Sequence, residues 1–216
     1  MPSRPMRGKY LGFVAHEIKN PLATALWSCD LLKRMEPADR AGARAEKMID
    51  VSLRALRRMR RLVDDFFTIE RILEHGYELK RENVGLKDLV EPAMHALAEK
   101  DGVSTESWVL ELDEVSTVGD VEMLRRAVRL LLEHMARASP APRLSISGRA
   151  DAESPALHIR AEAAPNPLIP PAPEERASGD PTGGVLGFEL ATHILASQGG
   201  RVEERDGGLW LVFPRA

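Results

Sequence analysis

The chain has 216 residues, of which 44% are hydrophobic and 29% charged, with one cysteine and a formal net charge of −3. This composition is typical of a globular chain of one or two small domains with a buried core, and it excludes disorder throughout. The single cysteine, Cys29, excludes an internal disulfide and a zinc site of the CxxC type.

Charge is distributed unevenly along the chain. Residues 1–75 carry 15 Lys and Arg against 10 Asp and Glu, whereas residues 76–216 carry 15 against 23. A nucleic-acid partner is not expected, because such binding needs a basic domain or stripe that neutralises phosphates. There is no apolar run of about 18 residues and no apolar secretory signal at the N-terminus, so the sequence predicts a cytoplasmic protein without a membrane partner.

Two long helices are predicted in the first third of the chain. Apolar residues recur every three or four positions from Tyr10 to about Met35, and again from Ile49 to Leu73 after an interruption by Pro37 and Gly42. The core-facing positions predicted for the first helix are Leu11, Val14, Ile18, Leu22, Ala25, Cys29 and Leu32. Because two helices of about 25 residues cannot cover their own apolar stripes, the hairpin is predicted to dimerise as a four-helix bundle.

After residue 76 the pattern changes to short strands interleaved with helices, which predicts an α+β domain with a mixed sheet. The predicted strands are residues 77–83, 108–112, 144–147, 156–161, 201–204 and 209–213, and the predicted helices are residues 86–99, 121–138 and 188–197. Six prolines between Ala163 and Gly184 exclude a helix or a central strand, so this segment is predicted to be a long loop. We therefore expect a helical hairpin over residues 1–75 and an α+β domain over residues 76–216.

One motif carries chemistry. Residues 13–22, FVAHEIKNPL, resemble the H-box of bacterial sensor histidine kinases. With Val14 and Ile18 in the core, His16 lies about 200° around the helix from Val14 and is expected to face solvent. A neutral imidazole in that position presents a ring nitrogen as a nucleophile. The resemblance implies that His16 is the residue that carries the phosphoryl group; the plain alternative is a His-Glu pair on a solvated helix face.

The resemblance also implies roles for two neighbours of His16. Glu17 is the adjacent carboxylate, which in the family acts as a base or orienting group during phosphorylation by ATP. Asn20 matches the position that helps direct water in the phosphatase reaction. A zinc protease motif is excluded, because HExxH requires a second histidine where Asn20 stands. Pro21 lacks an N–H, so a kink is expected one turn beyond the histidine.

The nucleotide-binding boxes of the family are degenerate in this chain. The two asparagines that hold Mg²⁺ and phosphate fall on Leu130 and His134, neither of which offers an amide oxygen. The aspartate that binds adenine becomes Ala163, and the glycines that follow become Pro165 and Pro167, which removes a carboxylate and two backbone donors. The sequence therefore predicts that ATP binding is lost and that the chain has no resident metal or cofactor.

The last glycine box is better preserved, with Gly184 and Gly187 before a helix and the pair Gly199-Gly200 before the terminal strands. With the other boxes absent, these glycines are interpreted as structural.

Two further features bear on partners. The basic cluster from Arg54 to Arg61 is interpreted as a solvated face paired with Asp64 and Asp65, with docking of an acidic receiver domain as the alternative. Trp27 lies on the same predicted face as His16, and both a partner contact and a buried bundle edge remain open for it.

Together these residues imply a dimeric phosphotransfer protein built on a histidine kinase frame. In this hypothesis His16 accepts phosphate from one response-regulator receiver domain and passes it to another, the receiver supplies Mg²⁺, and a hybrid kinase lies upstream. Two alternatives remain open. One is an atypical sensor histidine kinase that autophosphorylates weakly or is phosphorylated in trans, which the intact Glu17 favours. The other is a pseudokinase scaffold that carries no phosphate.

Overall fold

The computed structural model describes residues 5–75, 78–101, 103–138, 143–151, 154–162, 167–171 and 184–215. Of these, residues 5–70, 171 and 184–186 belong to one compact unit, and the others belong to a second. The division after residue 75 stays a prediction. None of the described helices is long and apolar enough to cross a membrane.

The N-terminal part is a helical hairpin. Helix α1 spans Pro5–Arg34, a 3-10 turn spans Pro37–Ala41, and helix α2 spans Ala43–His75. The predicted hairpin is thereby confirmed. Helix α1 continues through Pro21, so the proline does not end the helix; the kink stays a prediction.

The two helices bury a row of mostly small side chains with heptad spacing. Its members are Val14, Glu17, Pro21, Ala25 and Ser28 on α1, and Ala45, Ser52, Ala55, Leu62 and Ile69 on α2. We call this row the seam. Ser52 Oγ donates to the Met48 carbonyl at 3.0 Å and lies 3.5 Å from the carbonyl of Ala25 on the other helix.

The seam differs from the core face predicted for α1. Leu11 and Leu22 are 58% and 42% exposed, and Cys29 is exposed as well. Within one hairpin α2 covers only one side of α1, so these members of the predicted apolar face stay exposed, as expected of two helices that cannot cover their own apolar stripes. A second apolar row therefore stays open along the hairpin, and its large members are Leu11, Leu22, Leu26, Ile49, Leu53, Leu56 and Phe67.

The second unit contains two sheets and three helices. In chain order its elements are β1 (Glu82–Gly85), α3 (Leu86–Asp101), β2 (Val109–Leu112), β3 (Ser116–Gly119), α4 (Val121–Ala138), β4 (Leu144–Asp151), β5 (Ser154–Ala161), α5 (Gly184–Ser197), β6 (Arg201–Arg205) and β7 (Gly208–Val212). The larger sheet has the order β2-β4-β5-β7-β6, in which only β2 and β4 are parallel. Strands β1 and β3 form a separate antiparallel pair. The α+β class is confirmed.

Local chemistry explains which element bounds were predictable. Helix α4 begins where predicted because Asp120 is its N-cap, with Oδ1 accepting the N–H of Met123 at 3.1 Å. The strand predicted over residues 77–83 is wrong for residues 78–81, since β1 begins at Glu82. Strand β3 was not predicted, because four residues are too few to show a clear alternation.

The larger sheet has one apolar face. Alternate residues on three strands are fully buried, namely Leu144, Ile146, Leu157, Ile159, Leu209 and Leu211. Leu86 of α3 packs on this face at Gly148, where an added Cβ would lie 3.3 Å from Leu86 Cδ1. Helices therefore cover this side of the sheet.

The other face carries His158 and Trp210, which are direct partners in the β5–β7 register. Their rings stack with centroids 4.3 Å apart and an interplanar angle of 15°. The edge of the imidazole lies over Gly208, where an added Cβ would be 2.5 Å from His158 Nε2 and 2.7 Å from the carbonyl oxygen of Ile159. A larger residue at position 208 would displace the ring.

The turn before β6 confirms the structural role predicted for Gly199-Gly200. Gly199 has φ of 85°, a conformation that glycine adopts without strain. At Gly200 an added Cβ would lie 2.6 Å from the carbonyl oxygen of Val212.

We expect the second unit to lose stability at mildly acidic pH. Burial and the nearby charges of Arg160, Arg149 and Arg205 lower the pKa of His158 below its ordinary value of 6.5, against an opposing effect of Asp206. Burial also lowers the pKa of His193, although Glu189 acts in the opposite direction. Below pH 6.5 the unfolded chain therefore binds protons that the folded chain does not, so the free energy of unfolding falls as pH falls.

Urea unfolding followed between about pH 7.5 and pH 5.5 measures this dependence. His158→Gln should flatten the slope without abolishing it, because His193 still contributes. Ser145→Ala is the control, since Ser145 lies exposed on β4 of the same sheet and carries no titratable group, so the slope should stay unchanged. Equal slopes for the wild type and His158→Gln would contradict the assignment.

Candidate functional site

Helix α1 presents His16 to solvent, as predicted. His16, Asn20, Ala23 and Trp27 are all exposed, and Trp27 is 61% exposed. The spacing of three and four residues places them along one face of the helix. The imidazole is therefore accessible to a second protein. The Asn20 amide lies one turn away from His16, and the Trp27 indole lies about 16 Å from His16 along the helix axis.

Glu17 points in a different direction from His16. Its side chain is fully buried in the seam between Val14 and Pro21, and its Oε2 lies 3.8 Å from Nη2 of Arg58 on α2. Successive helical residues differ by about 100°, so the His16 ring and the Glu17 carboxylate leave the helix on different sides. Its role as base or orienting group stays a prediction.

Arg58 corrects part of the interpretation of the basic cluster. Its side chain is 26% exposed and extends toward Glu17 in the hairpin, instead of lying on a solvated face. Arg57 and Arg60 are exposed, as expected for the rest of the cluster. A guanidinium beside a buried carboxylate offsets the desolvation of that charge and ties the H-box turn of α1 to α2.

In the second unit, the degenerate asparagine positions contact other parts of the same unit. Leu130 is 6% exposed, and an added Cβ at Gly187 would lie 3.2 Å from its Cδ2. His134 packs against Phe188 with ring centroids 4.9 Å apart, and its Nε2 lies 2.8 Å from the carbonyl oxygen of Leu168.

The segment around Leu168 is held from two sides. Besides its contact with His134, the N–H groups of Leu168 and Ile169 donate to the two carboxylate oxygens of Glu204 at 3.0 and 3.1 Å. Leu168 is 4% exposed. We call this arrangement the Leu168 clamp. In this conformation Nε2 of His134 is occupied by its contact with the Leu168 carbonyl and is not available to an outside ligand.

The remaining nucleotide-box positions give less information. Pro167 is exposed at the start of the clamp segment. Ala163 and Pro165 lie outside the described residues. Among the residues that the structure describes, no group of three or more His, Cys, Asp or Glu side chains is placed to hold a metal ion.

The family model of the His Kinase A (phospho-acceptor) domain matches residues 6–75. The helical hairpin is therefore similar to the phospho-acceptor domain of histidine kinases. The match covers the helical hairpin, including the H-box and His16. None of the curated proteins matches this chain.

Solved histidine kinases share the fold. The Acinetobacter baumannii histidine kinase AdeS has a TM-score of 0.68 at 19% identity, over 91% of this chain and 95% of that one. Histidine kinase ThkA in complex with the response regulator TrrA has a TM-score of 0.62 at 18% identity, over 95% of this chain and 60% of that one. Full-length ShkA in complex with AMPPNP has a TM-score of 0.59 at 13% identity, over 98% of this chain and 45% of that one. The helical hairpin followed by an α+β domain is the arrangement of these kinases.

Sequence reasoning missed two contacts. The Arg58–Glu17 pair joins residues 41 positions apart, and no pattern within either helix marks it. Glu204 did give a signal, because it alternates with Val202 on the side of β6 opposite to Arg201 and Arg205. A carboxylate at a strand position that faces apolar residues needs a hydrogen-bonding partner inside the protein.

We expect Arg58→Gln to destabilise the hairpin by about 2–3 kcal/mol, because it leaves the Glu17 carboxylate buried beside a neutral group. Arg57→Gln removes an equal charge from an exposed neighbour and should change the free energy of unfolding by less than about 0.5 kcal/mol. Chemical unfolding followed by helical circular dichroism measures both. Glu17→Gln added to Arg58→Gln should restore part of the loss, and a purely additive double variant would show that the two charges do not interact.

Proposed function

We propose that this chain is a dimeric histidine phosphotransferase that moves phosphoryl groups between response-regulator receiver domains and does not use ATP itself. The observation that carries the proposal is a contrast within one chain. His16 lies exposed in an intact H-box, whereas His134, at a position that resembles a Mg²⁺-holding asparagine, is engaged by the Leu168 clamp.

The exposure of His16 suits transfer between proteins. A neutral ring nitrogen attacks the phosphorus of a receiver's aspartyl phosphate; the N–P bond forms as the P–O bond breaks, and the aspartate leaves as a carboxylate. In the second half, the carboxylate of another receiver attacks the same phosphorus. The N–P bond then breaks and its electron pair returns to the ring nitrogen. Mg²⁺ held by the receiver offsets the charge on the phosphoryl oxygens.

Three side chains near His16 support this reaction. Asn20 lies exposed one turn from the histidine, within reach of a bound receiver. Arg58 fixes the H-box turn through Glu17, so the imidazole is presented on an ordered helix. Trp27 offers a large exposed anchor along the same face for the receiver surface.

The second unit supports the loss of ATP use. Leu130 is apolar and buried at one asparagine position, and it has no atom that coordinates Mg²⁺. At the other position, His134 contacts the clamp and Phe188. Nucleotide binding would require the clamp to release this ring and would still lack both amide oxygens.

The open apolar row supports dimerisation. Six of its large members have exposed fractions between 42% and 63%, among them Leu26, Ile49 and Phe67. An apolar row along a two-helix hairpin is stable in water when another hairpin covers it, which gives a four-helix bundle. A second copy of this chain has the matching row and supplies that cover by two-fold symmetry.

A two-arm transfer assay tests the proposed chemistry. The purified chain is incubated with γ-labelled ATP and Mg²⁺, or with a labelled phosphorylated receiver domain, and labelled protein is measured in each arm. We expect label only from the receiver, and complete loss of label in His16→Ala because the nucleophile is gone. Lys47→Ala is the control, since Lys47 is exposed on α2 outside this face, and this variant should still be labelled.

The outcomes separate the alternatives. Label from ATP alone would overturn the proposal in favour of an autophosphorylating kinase. Failure of several phosphorylated receivers to label the wild-type chain would favour a scaffold that carries no phosphate. Retention of label in His16→Ala would exclude His16 as the acceptor.

Sedimentation tests the dimer. Leu26→Glu places a charge in the open apolar row and should shift the wild-type dimer toward a monomer at micromolar concentration, because burying an unpaired carboxylate is costly. Lys47→Glu changes an exposed residue outside this row and should leave the dimer intact. A wild-type monomer, or equal effects of both variants, would contradict the proposed interface.

A further inference from the structure

The polar face of the larger sheet in the second unit carries four arginines. Strand pairing places Arg149 opposite Ala156, Arg201 opposite Val212 and Arg205 opposite Gly208, on the same face as His158, Arg160 and Trp210. We call Arg149, Arg160, Arg201 and Arg205 the arginine face. They come from β4, β5 and β6, and β7, which carries Trp210, lies between β5 and β6; neighbouring strands are about 4.8 Å apart.

The ring of Trp210, at the centre of this face, holds Arg149 and Arg205 in place. The Cζ atom of Arg205 lies 4.1 Å from the centroid of the Trp210 ring, and that of Arg149 lies 4.9 Å from it. Cation–π contact at these distances favours one position of each guanidinium. Trp210 is only 2% exposed, because the guanidinium groups of Arg149 and Arg205 lie over its ring and the His158 ring stacks on it.

The positive charge of this face is only partly neutralised. Glu203 accepts from Arg201 and lies 3.9 Å from Arg205, so one carboxylate serves two guanidinium groups. Arg149 and Arg160 are exposed, and within the described part of the chain neither has a carboxylate within ion-pair distance. Burial is the main cause of the lowered pKa of His158, and three arginines act in the same direction while only Asp206 opposes them.

Two buried polar atoms beneath the arginines lack partners among the described residues. They are Nε2 of His158 and Nε1 of Trp210, on side chains that are 8% and 2% exposed. Buried polar atoms are nearly always hydrogen-bonded, so an unpartnered pair at one place indicates that the surface is completed by something else.

We propose that the arginine face binds an acidic, extended segment of a partner protein, with its carboxylates on Arg149 and Arg160. Carboxylates form paired hydrogen bonds with guanidinium groups, and ordered arginines lose little entropy on binding them. A single-stranded nucleic acid fits less well, because the covered Trp210 ring offers no surface on which a base can stack. Residues 76–216 also carry 15 Lys and Arg against 23 Asp and Glu, which opposes long polyanions. This surface is independent of His16, so it can be tested whatever the outcome of the transfer assay.

Binding of an acidic decapeptide of alternating Glu and Gly to the full chain tests the proposal. Calorimetry at low and high salt gives the affinity, and NMR follows the indole N–H signal of Trp210, identified by its loss in Trp210→Phe. The arginine pair variant Arg149→Gln/Arg160→Gln should bind about tenfold more weakly. The matched control Lys87→Gln/Arg137→Gln removes the same charge from α3 and α4 and should bind like the wild type.

A second variant keeps the positive charge and so guards against the possibility that the double variant fails to fold. Arg149→Lys keeps the charge but loses the planar fork, so it should weaken binding by a smaller factor than the double variant. Absence of peptide binding to the wild type, or equal weakening by the arginine pair and the control pair, would overturn the proposal. Tighter binding of a single-stranded oligonucleotide or of anionic phospholipid vesicles than of the peptide would also overturn it.

Discussion

The hairpin depends on the close contact of α1 and α2 along a row of small side chains. Ala25, Ser28 and Ser52 let the two backbones approach, and this fixes how α1 is rotated about its axis. With that rotation fixed, Glu17 is buried against Arg58 and His16 faces solvent. The reactivity of the H-box therefore follows from packing on the opposite side of the same helix.

The same rotation leaves the hairpin incomplete. Leu26, Ile49 and the other members of the open apolar row cannot reach the seam, because one helix neighbour covers only one stripe. A protein built in this way gains its missing contacts from association. The proposed phosphotransfer and the proposed dimerisation would thus share one cause, since the rotation that exposes the imidazole also exposes the apolar row.

In the second unit, the two positions that resemble the family's Mg²⁺-binding asparagines, Leu130 and His134, make contacts within the unit. Glu204 lies on the helix-facing side of β6 and holds the Leu168 backbone, which in turn engages His134. On the opposite face, sheet alternation collects arginines around Trp210. The second unit therefore combines an engaged His134 side chain with a group of arginines around Trp210.

The sequence alone was enough for the two-helix hairpin, the α+β class, the exposure of His16 and the start of α4 at Asp120, because periodicity and capping are local properties. It did not decide which apolar residues of α1, Leu22 or Ala25, would enter the seam, since an apolar residue at helical spacing fits either of two stripes. Only the tertiary structure paired Glu17 with Arg58, brought Leu168 to Glu204 and gathered Arg149, Arg205 and Trp210 on one face. Those contacts join residues far apart in the chain, and their distances depend on strand register and helix rotation, which no local pattern encodes.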